Sequence, residues 1–321
     1  MKIALEQETI AKLNVLTTHK KKGTVKGEFP DFLIIGPQRT GTTWLVANLR
    51  YHPELQMSYP KELYFFNRLK LKENKYSRHY YDFRWHLIWK KPATFFREVV
   101  KVFFFDWFKT GWFKANELEW YMRFFQDDFI SRFSKKRENV ERAPSDLKPK
   151  MIGEATATYA ILDEDVIQDI MTINPDMKAI LIVRDPAERA WSHAKKDLVR
   201  NAFRSMNETT KDEFATFFTK EEQLKCGNYT GNIEKWSHYL KPENLFVGFY
   251  DDIQIRPAEM LMDLFEFLGV TADEKFVSPK ATQVINGTGP SRIPAEYKTM
   301  LDDIFKEEKE RIKVSYDRSW S

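Results

Sequence analysis

Three continuous apolar runs stand out from the otherwise mixed polar and apolar pattern of the chain. Runs of this length without alternation are typical of parallel strands that are buried on both faces. They are Phe32-Leu33-Ile34-Ile35, Ala179-Ile180-Leu181-Ile182-Val183 and Leu245-Phe246-Val247-Gly248-Phe249. A polar turn and a helix-compatible segment follow each run. This order predicts an α/β fold, a three-layer sandwich with a central parallel sheet flanked by helices.

The segments after the second and third strands carry helix signals. Asp185 is placed as an N-cap, Pro186 takes the first helical position, and Glu188 is placed to complete a capping box. From Pro257 onward, apolar residues recur at helical spacing until Gly269, a residue type that commonly ends helices. The predicted core residues of this stripe are Met260, Leu261, Leu264, Phe265 and Leu268.

Residues 67–150 interrupt the alternation of strands and helices with an aromatic-rich, basic helical insertion. An apolar stripe opposite Arg97 and Lys101 predicts an amphipathic helix there. The stripe consists of Phe96, Val99, Val100, Phe103 and Trp107. Its apolar face has three open interpretations: packing on the core, lining a groove for sugar rings or an apolar ligand, or contacting a membrane surface.

The N-terminal region and the most apolar stretch bear on localisation. Residues 1–28 predict a polar extension, and the first twenty lack the continuous apolar core of a secretory signal. The stretch from Val99 to Phe113 is broken by Lys101, Asp106 and Lys109, and it is shorter than a membrane span. We therefore expect a cytoplasmic protein without a transmembrane segment. One domain, residues 1–321, suffices for a chain of this length.

Charge and cysteine usage narrow the function classes. The chain has 51 Lys and Arg against 47 Asp and Glu, a net charge of +4 that is spread through mixed-sign segments. A nucleic-acid binder typically concentrates its basic residues, so the excess fits an anionic substrate or cofactor better. The single cysteine, Cys226, can form neither an intrachain disulfide nor a thiolate metal cluster. The six histidines are scattered, and we expect no metal site.

A glycine-bracketed turn follows the first predicted strand. Its sequence is Gly36-Pro37-Gln38-Arg39-Thr40-Gly41-Thr42-Thr43-Trp44. Backbone amides and the dipole of the following helix favour an anion at such a turn, and the threonine hydroxyls add hydrogen-bond donors. In an open parallel sheet, this turn lies at the carboxyl end of the strand, where ligands usually bind.

The turn has the Gly-x4-Gly spacing of nucleoside triphosphate P-loops, so the predicted fold is P-loop-like. Those loops require Lys directly after the second glycine, and Thr42 stands at that position here. The missing Lys argues against phosphoryl transfer and leaves Arg39 as the cation inside the turn. A P-loop kinase, which would consume ATP with magnesium, is therefore disfavoured.

The same turn resembles the 5′-phosphosulfate loop of sulfotransferases that use PAPS (3′-phosphoadenosine 5′-phosphosulfate) as donor. Other segments agree with that family in order and spacing. Pro60-Lys61-Glu62-Leu63-Tyr64-Phe65-Phe66 is similar to the Lys-Glu-x-x-Phe-Phe segment of heparan-type and bacterial members, and Gly153-Glu154-Ala155-Thr156-Ala157-Thr158-Tyr159 resembles their Glu-x-(Ser/Thr)-x-x-Tyr segment. Residues 183–192 resemble the family's 3′-phosphate site, and residues 286–320 follow its nucleotide-covering loop and last helix.

The resemblance implies in-line transfer of a sulfuryl group from PAPS to a hydroxyl or amine, with PAP as the product and no metal. It makes Glu62 the general base and gives Arg39 the task of stabilising charge. It also implies a set of donor-binding residues. These are Gln38, Arg39, Thr40, Gly41, Thr42, Thr43, Trp44, Arg184, Ser192, Gly287, Thr288 and Arg292.

On the acceptor side, the resemblance points to Lys61, Glu154 and Tyr159 as substrate-binding candidates. For Glu154, a direct substrate contact and the orientation of a neighbouring Lys or Arg are both open. A carbohydrate acceptor is favoured because the Lys-Glu segment is heparan-type. Lipids, polyketides and other small molecules with a hydroxyl group are alternatives. A nucleotide- or RNA-binding module that uses the basic aromatic insertion is the alternative outside enzymes.

Overall fold

The fold was analysed in a computed structural model that describes residues 29–58, 61–69, 121–125, 142–283 and 292–320. Across these ranges, five strands form one fully parallel sheet in the order β2-β3-β1-β4-β5. The strands are β1 (Phe32–Gly36), β2 (Leu55–Met57), β3 (Met151–Ala155), β4 (Lys178–Val183) and β5 (Leu245–Phe249). The parallel α/β sheet predicted from the three apolar runs is confirmed, because those runs are β1, β4 and β5.

Helices cover both faces of the sheet. Their bounds are α1 (Thr42–Leu49), α2 (Phe65–Leu69), α3 (Glu164–Ile173), α4 (Pro186–Ala194), α5 (Lys211–Phe218), α6 (Glu221–Gly227), α7 (Tyr229–Ser237), α8 (Tyr250–Ile255), α9 (Pro257–Leu268) and α10 (Ala295–Tyr316). Within the described ranges, no helix has the length and apolar character that crossing a bilayer requires.

Side chains of β1 show how the three layers are held together. Leu33 and Ile35 belong to one buried apolar cluster, and Phe32 and Ile34 belong to another. Successive side chains of a strand point to opposite faces, so the two clusters are the cores above and below the sheet. All four of these side chains are fully buried, which explains why the strand is a continuous apolar run.

The predicted helix starts and stops are largely confirmed. The Asp185 side chain accepts a hydrogen bond from the amide of Ala187 at 2.8 Å, with Pro186 as the first residue of α4. Gly269 ends α9 in the left-handed conformation, with φ +76°. The capping box predicted for Glu188 is wrong: this carboxylate instead pairs with Arg184 at 3.0 Å, one helical turn away.

Several predictions lie outside the described residues. They concern the extension over residues 1–28, the amphipathic stripe of the insertion, Gly287 and Thr288. Of the 67–150 insertion, the structure describes residues 67–69, 121–125 and 142–150. Tyr121 is the part of it that bears on the site, because its side chain is fully buried beside β3.

Candidate active site

The predicted functional segments meet at the carboxyl edge of the sheet. The glycine-bracketed turn follows β1, Thr156 follows β3, and Arg184 follows β4. The Glu62 segment is fixed to the same edge, because the amide of Glu62 donates to the carbonyl of Ala155 at 2.9 Å. Parallel strands all end at this edge, which brings together residues that are far apart in the chain.

The turn after β1 is built to expose amides. Gly36, Arg39 and Gly41 have positive φ angles of 103°, 71° and 93°. The Thr40 hydroxyl is buried and donates to the Pro37 carbonyl at 2.8 Å, which closes the turn from inside. Gly41 is the N-cap of α1 and has no side chain that could compete for the first amides of the helix. The turn therefore has the geometry of an anion-binding site.

Gly36 is the position of the turn that is least tolerant of a side chain. A Cβ atom there would lie 2.1 Å from the carbonyl oxygen of Ala157, and φ is +103°. We expect Gly36→Ala to lower the free energy of unfolding by about 2 to 5 kcal/mol, from the clash together with the backbone strain. Gly269→Ala is the matched control, because it has a positive φ but no atom within 4 Å of the added Cβ. It should cost about 1 to 2 kcal/mol in denaturant unfolding. Equal losses in the two variants would contradict the clash.

Lys61 joins the turn to the Glu62 carboxylate. Its Nζ donates to the hydroxyls of Thr42 and Thr43 at 3.0 and 3.3 Å, and to Glu62 Oε1 at 2.8 Å. The other carboxylate oxygen, Glu62 Oε2, accepts from the amide of Ala157 at 3.1 Å. The side chains of Lys61 and Glu62 keep 20% and 24% of their surface exposed. A cation and a carboxylate therefore stand, accessible to solvent, beside the hydroxyls of the anion-binding turn.

Arg39, Ser192 and Arg184 form a second polar group at the same edge. Arg39 Nε donates to Ser192 Oγ at 2.9 Å, and Arg184 Nη1 donates to the Arg39 carbonyl at 3.0 Å. The Arg184 guanidinium also lies 4.3 Å from the centre of the Tyr250 ring. The sequence predicted both halves of this group, one from the turn and the other from the family resemblance of residues 183–192, and the structure brings them into contact.

Several cations crowd this group. Burial and the nearby Arg184 both lower the pKa of Arg39. Burial lowers the pKa of Lys195 as well, and Arg39 and Arg184 lower it further. Like charges held together in this way are relieved when an anion binds between them. The sequence analysis missed Tyr250 and Lys195. The position of Tyr250, directly after β5 at the ligand-binding edge, was a signal that could have identified it.

The remaining turn residues anchor the loop. Gln38 donates to Glu222 at 3.3 Å and accepts from the Cys226 thiol at 3.1 Å, which ties the turn to α6. Burial raises the pKa of this thiol to about 12, so Cys226 is an inert packing residue. Trp44 is 4% exposed and donates to the Ala281 carbonyl, so its side chain belongs to the core. Arg292 is exposed and lies just before α10.

Glu154 is fully buried beneath the Glu62 segment. Within the described ranges, its carboxylate accepts hydrogen bonds from the hydroxyls of Tyr121, Thr156 and Tyr159. The distance from Thr156 Oγ1 is 2.6 Å, and that from the Tyr159 hydroxyl is 3.0 Å. Tyr159 is fully buried too. Two of the three residues predicted to bind substrate, Glu154 and Tyr159, therefore lie behind the partly exposed pair of the third, Lys61, and Glu62. Among the described residues, Glu154 is hydrogen-bonded to hydroxyls and not to a Lys or Arg.

Stability should depend on pH through Glu154. Burial raises its pKa from the ordinary value of 4.5 to about 7, although the three hydroxyl contacts oppose the shift. Between these two pH values the native state holds a proton that the unfolded chain has released, so the native state loses stability as the pH rises. We expect wild type to lose more unfolding free energy from pH 5 to pH 8 than Glu154→Gln does, by a few kcal/mol. Identical pH dependence in denaturant unfolding would contradict this.

Comparisons with known proteins agree with this geometry. The sequence model of the sulfotransferase domain family matches residues 29–286. Bifunctional heparan sulfate N-deacetylase/N-sulfotransferase 4 of Mus musculus is 26% identical over 250 residues, which cover 75% of this chain and 22% of that protein. The Drosophila melanogaster bifunctional heparan sulfate N-deacetylase/N-sulfotransferase is 25% identical over 250 residues, covering 75% of this chain and 20% of its own length. The chain thus spans about a fifth of the length of these relatives.

A solved sulfotransferase from Alicyclobacillus acidocaldarius has the same fold, with a TM-score of 0.60 and 18% identity over 91% of this chain and 98% of its own. The family match covers all five described strands and the anion-binding turn. The fold, the order of the motifs and the family match lead to one conclusion: this chain belongs to the sulfotransferase domain family.

Proposed function

We propose that the carboxyl edge of the sheet binds PAPS and transfers its sulfuryl group to a hydroxyl or amine of a carbohydrate. The observation that carries the proposal is the bridge made by Lys61, which links the Thr42 and Thr43 hydroxyls of the anion-binding turn to the Glu62 carboxylate. An anion-binding turn and a carboxylate base lie side by side, as sulfuryl transfer requires.

The residues at this edge fit a donor with phosphate groups at two positions. One anion site is the turn with the first amides of α1, and the other is the crowded group of Arg39, Arg184 and Ser192. Arginine forks and hydroxyls are well suited to phosphate oxygens. The partly buried ring of Tyr250 lies against the Arg184 guanidinium and adds a planar surface beside the second site.

PAPS supplies an electrophilic sulfur bonded through oxygen to a phosphate. In the proposed reaction, a bond forms from the acceptor oxygen or nitrogen to sulfur, and the bond from sulfur to the bridging oxygen breaks, which leaves PAP. Glu62 takes the proton of the acceptor. Lys61 and the turn amides offset the negative charge that develops on the bridging oxygen. Lys61 also holds one oxygen of Glu62, while the Ala157 amide holds the other, so the carboxylate has a fixed orientation.

Arg39 has a different place from Lys61 in this proposal. Its guanidinium is bonded to Ser192, on the side of Arg184, and Lys61 contacts the hydroxyls of α1. We therefore assign Arg39 to binding the donor and stabilising charge, and Lys61 to the end where transfer occurs. A guanidinium is a poor proton donor, so Arg39 is not assigned a role as a general acid.

A glucosamine-containing polysaccharide is the proposed acceptor class. Two relatives of the chain are named for N-sulfation of heparan sulfate, and each shares about a quarter of its matched residues with this chain. Small lipid, polyketide or phenolic hydroxyls are the alternative. The accessible Lys61 and Glu62 pair is compatible with either an alcohol or an amine as the acceptor.

The test is a transfer assay with ³⁵S-labelled PAPS. Three acceptors are compared: an N-desulfated heparan-type polysaccharide, its N-acetylated form, and a simple phenol. We expect label in the polysaccharide, and loss of that label on N-acetylation would identify the amine as the acceptor. Label in the phenol alone would overturn the proposal of a carbohydrate acceptor. If none of the three acceptors were labelled and no PAP were formed, the proposed reaction itself would be overturned.

A further inference from the structure

The segment that carries Glu62 has an unusual backbone. Glu62 and Tyr64 are both non-glycine residues in the left-handed region, with φ angles of 66° and 55°. Side chains with a Cβ rarely adopt this conformation, and it persists only where surrounding contacts hold it. Strained residues of this kind often cluster at functional sites. The contacts that hold this segment therefore decide where the Glu62 carboxylate stands.

Two of these contacts come from side-chain hydroxyls. The amide of Tyr64 donates to Thr156 Oγ1 at 3.3 Å, and the amide of Phe66 donates to the Tyr159 hydroxyl at 3.3 Å. A hydroxyl has one proton and accepts through its lone pairs. Each of these two hydroxyls therefore receives an amide from the Glu62 segment and has its own proton available for a second partner.

Glu154 is that second partner for both hydroxyls. Thr156 Oγ1 donates to Glu154 Oε1 at 2.6 Å, and the Tyr159 hydroxyl donates to the same oxygen at 3.0 Å. Above its pKa of about 7, Glu154 is an ionised carboxylate that only accepts, so it fixes the direction of both hydroxyl groups and leaves their lone pairs facing the amides of Tyr64 and Phe66. The chain of hydrogen bonds runs from Glu154 through two hydroxyls to the strained backbone.

We propose that Glu154 is a positioning residue, which holds the backbone of the Glu62 segment in its strained conformation through the hydroxyls of Thr156 and Tyr159. Its effect on catalysis rests on the proposed function of Glu62 as the base, whereas its effect on the backbone does not. Among the described residues, the hydrogen bonds to the Glu154 carboxylate come from hydroxyls and none comes from the anion-binding turn, so Glu154 acts through the hydroxyls.

The surroundings of Glu154 explain why a buried carboxylate is retained there. Tyr121 donates to Glu154 Oε2 and stacks on Phe65, with ring centres 4.2 Å apart and an angle of 12° between the rings. Phe66 packs edge-on against Tyr121 and Tyr159. This aromatic enclosure excludes water and strengthens each hydrogen bond inside it. Because Tyr121 lies within the 67–150 insertion, the enclosure also ties that insertion to the Glu62 segment.

The test compares variants that weaken the whole relay or remove one branch of it. Glu154→Gln keeps the size of the side chain but replaces one acceptor oxygen with an NH2 donor, so the hydroxyls of Tyr121, Thr156 and Tyr159 must compete for the two lone pairs of a single oxygen. Thr156→Val removes the contact to the Tyr64 amide, and Tyr159→Phe removes the contact to the Phe66 amide. Glu308→Gln is the matched control, because Glu308 is also buried and accepts hydrogen bonds, but from Thr230 and Arg311.

Amide hydrogen exchange gives a readout that does not depend on activity. In Glu154→Gln, we expect exchange at both Tyr64 and Phe66 to accelerate by about 10-fold or more, whereas each single-branch variant accelerates one amide. The transfer assay should show kcat lowered by about 10- to 100-fold in Glu154→Gln. The KM for PAPS and the affinity for PAP should stay within about twofold, because the anion sites are unchanged.

The outcomes separate this inference from the proposed function. Unchanged exchange at Tyr64 and Phe66 in the single-branch variants would overturn the relay, even if Glu154→Gln failed to fold. Accelerated exchange with an unchanged kcat would overturn the positioning role in catalysis. If wild type transferred no sulfuryl group, the proposed function would fail and the exchange pattern alone would decide whether Glu154 holds the segment. A similar response in Glu308→Gln would reduce the effect to general destabilisation and overturn the proposal.

Discussion

Glu62→Gln is expected to lower kcat for sulfuryl transfer by about 100- to 10,000-fold, the usual contribution of a positioned general base. The amide keeps the size of the side chain and can accept the hydrogen bond from the Ala157 amide or from Lys61, but it cannot take the proton of the acceptor. Binding of PAP should stay within about twofold of wild type, because the donor contacts come from other residues. Steady-state transfer kinetics and calorimetric titration with PAP measure the two effects.

The matched control for this substitution is Glu259→Gln, which changes an exposed glutamate in the first turn of α9. It should leave both kcat and PAP affinity unchanged. If Glu62→Gln retained more than about a tenth of wild-type kcat, proton transfer to Glu62 would not be part of the rate-determining chemistry. A large fall in PAP affinity would instead assign Glu62 to the donor site.

Arg184→Ala should weaken PAP binding by about 10- to 150-fold, which corresponds to the loss of a charge-assisted hydrogen bond of about 1.5 to 3 kcal/mol. In the structure, this guanidinium is fixed by the Arg39 carbonyl and by the Tyr250 ring, so it is preorganised for a phosphate. The affinity for AMP, which lacks the 3′-phosphate, should change little. Calorimetric titration of both nucleotides measures the difference.

Two further variants make the Arg184 result specific. Arg184→Lys keeps the charge but loses the fork and the stacking surface, so its PAP affinity should fall between those of wild type and Arg184→Ala. Arg204→Ala removes an arginine that pairs with Glu213 of α5, and this variant should bind PAP normally. Equal losses of PAP and AMP affinity in Arg184→Ala would contradict the assignment to the 3′-phosphate and would indicate that Arg184 only supports the turn.

The central part of the fold could be predicted because β1, β4 and β5 are continuous apolar strands. The other two strands gave weaker signals. β2 has three residues, and β3, Met151–Ala155, contains a glycine and the charged Glu154. Glu154 can be buried within β3 because nearby hydroxyls donate hydrogen bonds to its carboxylate. Neither the hydrophobic periodicity nor the strand propensity of a sequence can reveal such partners. Because it contains a charged residue, β3 could not be recognised as a core strand from the sequence.

The candidate active site, like the fold, could be predicted from the sequence only in part. The turn and Arg184 could be placed together because each directly follows a parallel strand, and such ends share one edge. Ser192 was included through the family resemblance of residues 183–192. The relay from Glu154 could not be predicted, because Tyr121 and Tyr159 come from opposite sides of β3 in the sequence and meet only in the folded chain. The hydrogen bonds from Lys61 to the hydroxyls of α1 could not be predicted either, because the two segments meet only in the folded chain.

The measurement that tests the donor assignment most directly is calorimetric titration of the wild-type protein with PAP, AMP and ATP in the presence of a metal chelator. The two anion sites at the carboxyl edge predict that PAP binds at least about 10-fold more tightly than AMP or ATP, since one charge-assisted phosphate contact contributes that much. PAP binding no tighter than AMP would contradict the 3′-phosphate site at Arg39, Arg184 and Ser192, and with it the use of PAPS as donor.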